Sequence, residues 1–151
     1  MDFATTLILV LFGILLEAFF SGSEIGMVSV NRIKMKQLAE DGNSAARSIL
    51  KLLENPERLF TTTSLGTNLA MVASTAIFTA FMVTHFGDSG EWMAMSIISP
   101  LIFFGGEIIP KVIFQHRADS LMLLMVYPLI FFNKILSPLT SWLSKTSAKL
   151  T

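Results

Sequence analysis

The chain has 151 residues, of which 52% are hydrophobic and 15% charged, and its eleven Lys and Arg balance its eleven Asp and Glu. Soluble domains carry about 25% charged residues, so this deficit, with a mean hydropathy of +0.65, marks an integral membrane protein, and zero net charge gives nucleic acid nothing to bind. There is no cysteine, which excludes disulfides, thiol catalysis and thiolate metal sites, and the two histidines, His85 and His116, do not make a histidine-based centre. Any metal must therefore be held by oxygen, which suits Mg²⁺, Ca²⁺ or Mn²⁺.

The predicted fold is all-α, one transmembrane domain over 1–151. The first apolar run, 3–30, opens with Asp2 rather than a basic stretch and is not followed by a small-x-small cleavage pattern. It is expected to be a permanent first span rather than a signal peptide. The following stretch, 32–55, reads as two short helices, Arg32 to Glu40 and Ser44 to Leu53, broken at Asp41-Gly42-Asn43 and closed by Asn55-Pro56. A second span is predicted over 59–83, where no charged residue occurs, and a third over 92–115, with Trp92 as an interfacial aromatic. Arg32, Lys34, Lys36, Arg47, Lys51 and Arg58 place the first connection in the cytoplasm, whereas 84–91 carries only Asp88 and Glu91 among acidic and basic residues. The positive-inside rule thus puts the N-terminus outside the cell membrane. The segment 120–148 is apolar but broken by Pro128, Asn133, Lys134 and Pro138. It is expected to lie along the cytoplasmic interface, because a fourth span would carry Lys145 and Lys149 outward.

Polar residues within spans are costly and mark pathways or sites. On the first span Glu17, Ser21, Glu24 and Asn31 share one helical face, and a distortion at Gly22 would bring Ser23 round to join it. Glu17 is read as pairing across a helix interface. On the second, Thr61, Ser64, Asn68, Thr75 and Thr79 form a polar stripe, and Gly66 with Ala70 suits close helix contact. The threonines are expected mainly to bond within their own helix. On the third, Pro110 removes the amide that would satisfy the carbonyl of Gly106, beside the acid Glu107, and such freed carbonyls coordinate cations in broken transporter helices. Lys111 is expected to neutralise Glu107 or Glu24, or to reach the interface. Counted from the cytoplasmic end of each span at 1.5 Å per residue, Ser21 to Glu24, Asn68 and Glu107 all fall roughly 9–14 Å deep. Serine hydroxyls, an amide oxygen, a backbone carbonyl and a carboxylate suit Mg²⁺, which demands near-octahedral oxygen coordination.

Ser21-Gly22-Ser23-Glu24, Asn31-Arg32, Glu54-Asn55-Pro56-Glu57-Arg58-Leu59, Gly66-Thr67-Asn68 and Gly106-Glu107-Ile108-Ile109-Pro110-Lys111 occur in this order. The ordered set resembles the membrane (DUF21-type) domain of the CNNM/CorC family of magnesium transporters. The resemblance implies a homodimer in the lipid bilayer, three spans per protomer with a juxtamembrane helical belt, and Mg²⁺ export driven by a Na⁺ gradient. By motif it implies Ser21, Ser23, Asn68, the Gly106 carbonyl and Glu107 as metal ligands, with Gly22, Glu24, Pro110 and Lys111 in support. It also implies regulatory cystathionine-β-synthase-type domains, which these 151 residues do not contain. The competing expectation is a membrane anchor or Mg²⁺ sensor that does not transport. An enzyme is not expected, since no nucleophile with a neighbouring base stands out.

Overall fold

The computed structural model describes residues 1–149. Every regular element among them is helical. α1 is Phe3–Ser29, α2 is Arg32–Glu40, α3 is Ser44–Leu53 and α4 is Pro56–Phe86. A continuous helical stretch then runs Asp88–His116. It comprises α5 (Asp88–Pro100), a π-helical segment (Leu101–Ile108) and α6 (Ile109–His116), and α7 (Ala118–Ala148) follows.

Asparagine opens three of these helices. Asn31, Asn43 and Asn55 each accept a hydrogen bond from the backbone N–H three residues on, satisfying one orphan donor of α2, α3 and α4. Pro56 sits where a missing N–H costs nothing, in the first turn of α4. Asn31 is thus a cap beyond the end of α1 rather than a member of its polar face.

The first span ends one residue short of the predicted 3–30, and the second and third are longer than the sequence predicts. α4 extends three residues beyond both ends of 59–83, and the third stretch starts at Asp88 rather than 92. The expected 84–91 connection shrinks to Gly87, whose φ of 60° turns the chain at one residue. Asp88 and Glu91, read as loop charges, instead occupy the first turn of α5, where carboxylates favour the exposed N–H groups.

α1 is the centre of the packing. Its buried residues Thr6, Val10, Gly13, Glu17 and Phe20 recur every three or four positions. α4 runs antiparallel to it: Gly13 lies against Ser74, Phe20 covers Gly66, and Thr63 donates to Glu24 at 3.0 Å. Small residues at Gly13, Gly66, Ala70 and Ser74 let the two backbones approach. The third stretch runs parallel to α1, pairing Ile14 with Gly105, Glu17 with Gly106 and Gly22 with Phe114.

Four described helices are long and apolar enough to cross a membrane, one more than expected, and α7 is the addition. Its contacts show how it lies. Met122 packs on Gly26 of α1, the Phe132 ring sits 4.9 Å from that of Phe20, Asn133 accepts from Thr62, and Ser137 meets Arg58. Between Met122 and Ser137 the helix advances about 22 Å at 1.5 Å per residue. Gly26 and Arg58 nevertheless stand at the same end of the antiparallel α1–α4 pair. α7 therefore lies across that end instead of running alongside either helix.

Two apolar clusters result. The larger joins the end of α1 to α2, α3, the start of α4 and α7 through Met27, Met35, Ala46, Ile49, Leu59, Met122 and Leu129. The smaller, around Val10, Ile98 and Ile102, holds the opposite end. Glu17, Ser21 and Ser23 are buried along the stretch of α1 between them.

Candidate cation site

Hydroxyls in an apolar helix usually donate to the carbonyl one turn earlier. Thr61, Thr62, Thr63, Thr67, Ser74, Thr84 and Ser96 all do so here. Among the described residues, three buried side-chain oxygens lack a hydrogen-bond partner: Glu17 Oε2, Ser21 Oγ and Ser23 Oγ. All three lie on seven consecutive residues of α1. An unmade bond in a buried site costs about 1–3 kcal/mol per group, so each of these oxygens needs a reason to be left unpaired.

Glu17 sits one helical turn before Ser21, so the two share a face. That face meets the third stretch at Gly106. A β-carbon placed on Gly106 would lie 2.5 Å from Glu17 Cδ and 2.6 Å from Oε2. Only glycine leaves room for the carboxylate there.

The local backbone follows from Pro110. The π spacing ends with the Ile109 N–H donating to the Phe104 carbonyl. The next residue has no amide to give. Gly105 and Gly106, five and four residues before Pro110, therefore receive no bond from it at either π or α spacing. The sequence predicts a kink with an exposed Gly106 carbonyl; in the structure the proline stands in the first turn of α6, directly after a π segment that ends near the buried Glu17. π segments within α-helices concentrate at functional sites.

The other residues of the expected ligand set lie as follows. Ser23 is fully buried, yet α1 continues as regular helix through Gly22. Ser23 therefore projects about 200° around the helix from Ser21, and no distortion brings the two onto one face. The need for glycine at 22 is packing, because the Phe114 ring occupies the space a side chain would take. Glu107 is half-exposed and accepts a 2.9 Å ion pair from Lys111, one of the two partners expected for that lysine. Glu24 takes the hydroxyl of Thr63. Asn68 is exposed on the far side of α4, in a groove shared with Thr61, Ser64, Leu65 and Leu143. The structure thus sets Glu17, a residue not expected to belong to the site, against Gly106, with Ser21 one turn along the same face of α1, and leaves Asn68 apart from them.

Among the described residues no three His, Cys, Asp or Glu side chains gather as a metal cluster. A cation here would be held by hydroxyl and carbonyl oxygens with few carboxylates, the oxygen donors that hard ions take.

Sequence comparisons agree with this kind of protein. The chain is 31% identical over 146 residues to a UPF0053 protein of Haemophilus influenzae, covering 97% of this chain and 34% of that protein. It is 34% identical over 98 residues to the UPF0053 inner membrane protein YfjD of Escherichia coli, covering 65% of this chain and 23% of the relative. A polyamine export protein of Salmonella typhimurium is 27% identical over 143 residues, 86% of this chain and 32% of its own length. The chain therefore spans about a third or less of these relatives. The family model for the cyclin M transmembrane N-terminal domain matches residues 7–151. That match takes in the buried serines of α1, the π segment and α7 together, and the chain belongs to the CNNM (DUF21) transmembrane-domain family.

Proposed function

We propose that this chain is the membrane domain of a Mg²⁺ exporter. In this reading Mg²⁺ leaves the cytoplasm by alternating access, in exchange for Na⁺, through a site beside Ser21, Gly106 and Glu107, which Ser23 joins only if α1 unwinds at Gly22. The observation that carries the reading is the buried, unpartnered Ser21 hydroxyl on the face of α1 that meets the π segment at Gly106. A hard cation supplies the missing partner for hydroxyls and freed carbonyls alike. Its arrival would release Glu107 from Lys111. Asn68 joins the ligands only if α4 turns about its axis, a motion to which this reading commits.

The working assembly is proposed to be a homodimer in the cell's inner membrane, N-terminus outside. α7 is taken to lie along the cytoplasmic interface as a belt, a reading supported by its course across one end of α1 and α4. Lys145 and Lys149 then stay on the side of the basic α2–α3 hairpin, in keeping with charge-directed topology. Regulatory domains of the cystathionine-β-synthase type would belong to the longer protein.

A second cargo is favoured by the names of two relatives, the polyamine export proteins of Salmonella typhimurium and Escherichia coli. A polyamine is also a multiply charged cation, but it donates hydrogen bonds and cannot be caged by oxygens at about 2.1 Å as Mg²⁺ is. Calorimetry with MgCl₂, CaCl₂ and spermidine, followed by flux of each from proteoliposomes, separates the cargoes. Mg²⁺ binding and flux that spermidine does not reproduce support the first reading. Spermidine movement without Mg²⁺ binding replaces it with the second, and Mg²⁺ binding without any flux indicates a sensor or anchor.

A further inference from the structure

The motifs that recommend Glu107 as the anionic ligand do not single out Glu17, yet the structure gives Glu17 the stronger claim. Glu107 is half-exposed and its charge is already met by Lys111 at 2.9 Å. Glu17 is 1% exposed, with its Oε2 unpartnered among the described residues. No salt bridge of the described residues involves it; the two present are Lys111 with Glu107 and Lys34 with Asp119. A buried carboxyl without partner or counter-charge is costly to ionise and is left with an unmet hydrogen bond when neutral. It persists where something that binds repays the cost.

The placement says what binds. Oε2 lies over Gly106, one of the two glycines whose carbonyls receive no bond from Pro110, and Ser21 Oγ, also unpartnered, stands one turn away on the same face. A carboxylate, a hydroxyl and backbone carbonyls all present lone pairs and no hydrogen-bond donor other than the rotatable serine hydrogen. Such a group attracts a cation and repels an anion.

We infer that Glu17 is a direct ligand of the transported cation, the charge-bearing one in this conformation. The inference rests on the cation-transport reading above and adds to it a second carboxylate. With Glu17 inside and Glu107 released from Lys111, two negative charges face the cargo and balance a divalent ion. While Lys111 holds Glu107, only one is available.

Thermal unfolding of the detergent-purified chain in MgCl₂, with NaCl of equal ionic strength as control, tests this on wild type, Glu17→Gln and Glu17→Asp. A merely structural Glu17 predicts that Glu17→Gln lowers the melting temperature without Mg²⁺. A ligand predicts that it holds or raises it, because without the cation Glu17 Oε2 has no partner to lose. It also predicts that the Mg²⁺ concentration giving half the stabilisation rises at least about tenfold, the loss typical when a metal's surroundings are altered. Glu17→Asp, which keeps the charge but withdraws it by one methylene, should fall between the two and serves if Glu17→Gln does not fold. An unchanged Mg²⁺ response in the variants overturns the assignment of Glu17 while leaving the transport reading standing. A wild type that responds to Mg²⁺ no more than to NaCl overturns both.

Discussion

The carboxylate of Glu17 occupies the space that a side chain on residue 106 would fill: a β-carbon on Gly106 would stand 2.6 Å from Glu17 Oε2. An acid of α1 thus meets a glycine of the parallel third stretch within the π segment, four residues before Pro110. The first prediction concerns that contact. Gly106→Ala forces either the carboxylate or the helix to move, and overpacking of this kind costs about 1–3 kcal/mol. At Gly105 the new methyl would meet only Ile14 Cγ2 at 3.6 Å, an ordinary contact. Thermal unfolding should therefore show a clear loss for Gly106→Ala and almost none for Gly105→Ala. Equal losses would mean that the Glu17 contact does not limit position 106.

Pro110 is expected to cost stability and confer function. Pro110→Ala restores an amide that can close the helix onto Gly106, and a proline inside a helix costs about 3 kcal/mol relative to a residue with that amide. The variant should unfold at the same or a higher temperature than wild type and lose cation flux. Full flux in a more stable Pro110→Ala protein would show that the π segment plays no part in transport.

Asp119 ties the start of α7 to the far end of α1. Its Oδ1 accepts from the Asn31 N–H at 2.9 Å and its Oδ2 pairs with Lys34 at 3.3 Å. Asp119→Ala removes both acceptors at a partly exposed site, so a loss of about 1 kcal/mol is expected, most of it from the backbone bond. Lys34→Ala should cost less. The order of the two in thermal unfolding checks this, and the reverse order would place the stability in the ion pair.

The course of α7 makes a topological prediction. The chain contains no cysteine, so single cysteines report without background. Lys51→Cys in α3 and Lys145→Cys in α7 should be labelled by a membrane-impermeant thiol reagent from one face of the membrane, and Ser89→Cys from the other. Labelling of Lys145→Cys together with Ser89→Cys would make α7 a fourth span.

Much of this arrangement is legible in the sequence, for identifiable reasons. Asn55-Pro56 states a helix start in its own chemistry, and Gly106 with Pro110 states a helix that cannot keep its hydrogen bonds. Glu17 is not legible in the same way. It looks like an interface acid until Gly105 and Gly106 are known to sit beside Ile14 and Glu17 on a parallel neighbour. Counting depth from the helix ends sets Glu107 level with Ser21 to Glu24, roughly one turn away from the observed pairing of Gly106 with Glu17. Asn68 shows the other limit. Its spacing within the Thr61-Ser64 stripe is helical, but spacing alone does not say whether a stripe faces the bundle. Here Gly66 and Ala70 define the face of α4 that meets α1, and Asn68 lies opposite it.

Flux of Mg²⁺ from sealed proteoliposomes under an inward or outward Na⁺ gradient, comparing wild type with Ser21→Ala/Ser23→Ala, tests the central claim most directly. The account predicts Na⁺-dependent Mg²⁺ movement by wild type and none by the folded double variant. Equal movement by both proteins, or a wild type stabilised by Mg²⁺ that never carries it across the bilayer, would contradict it.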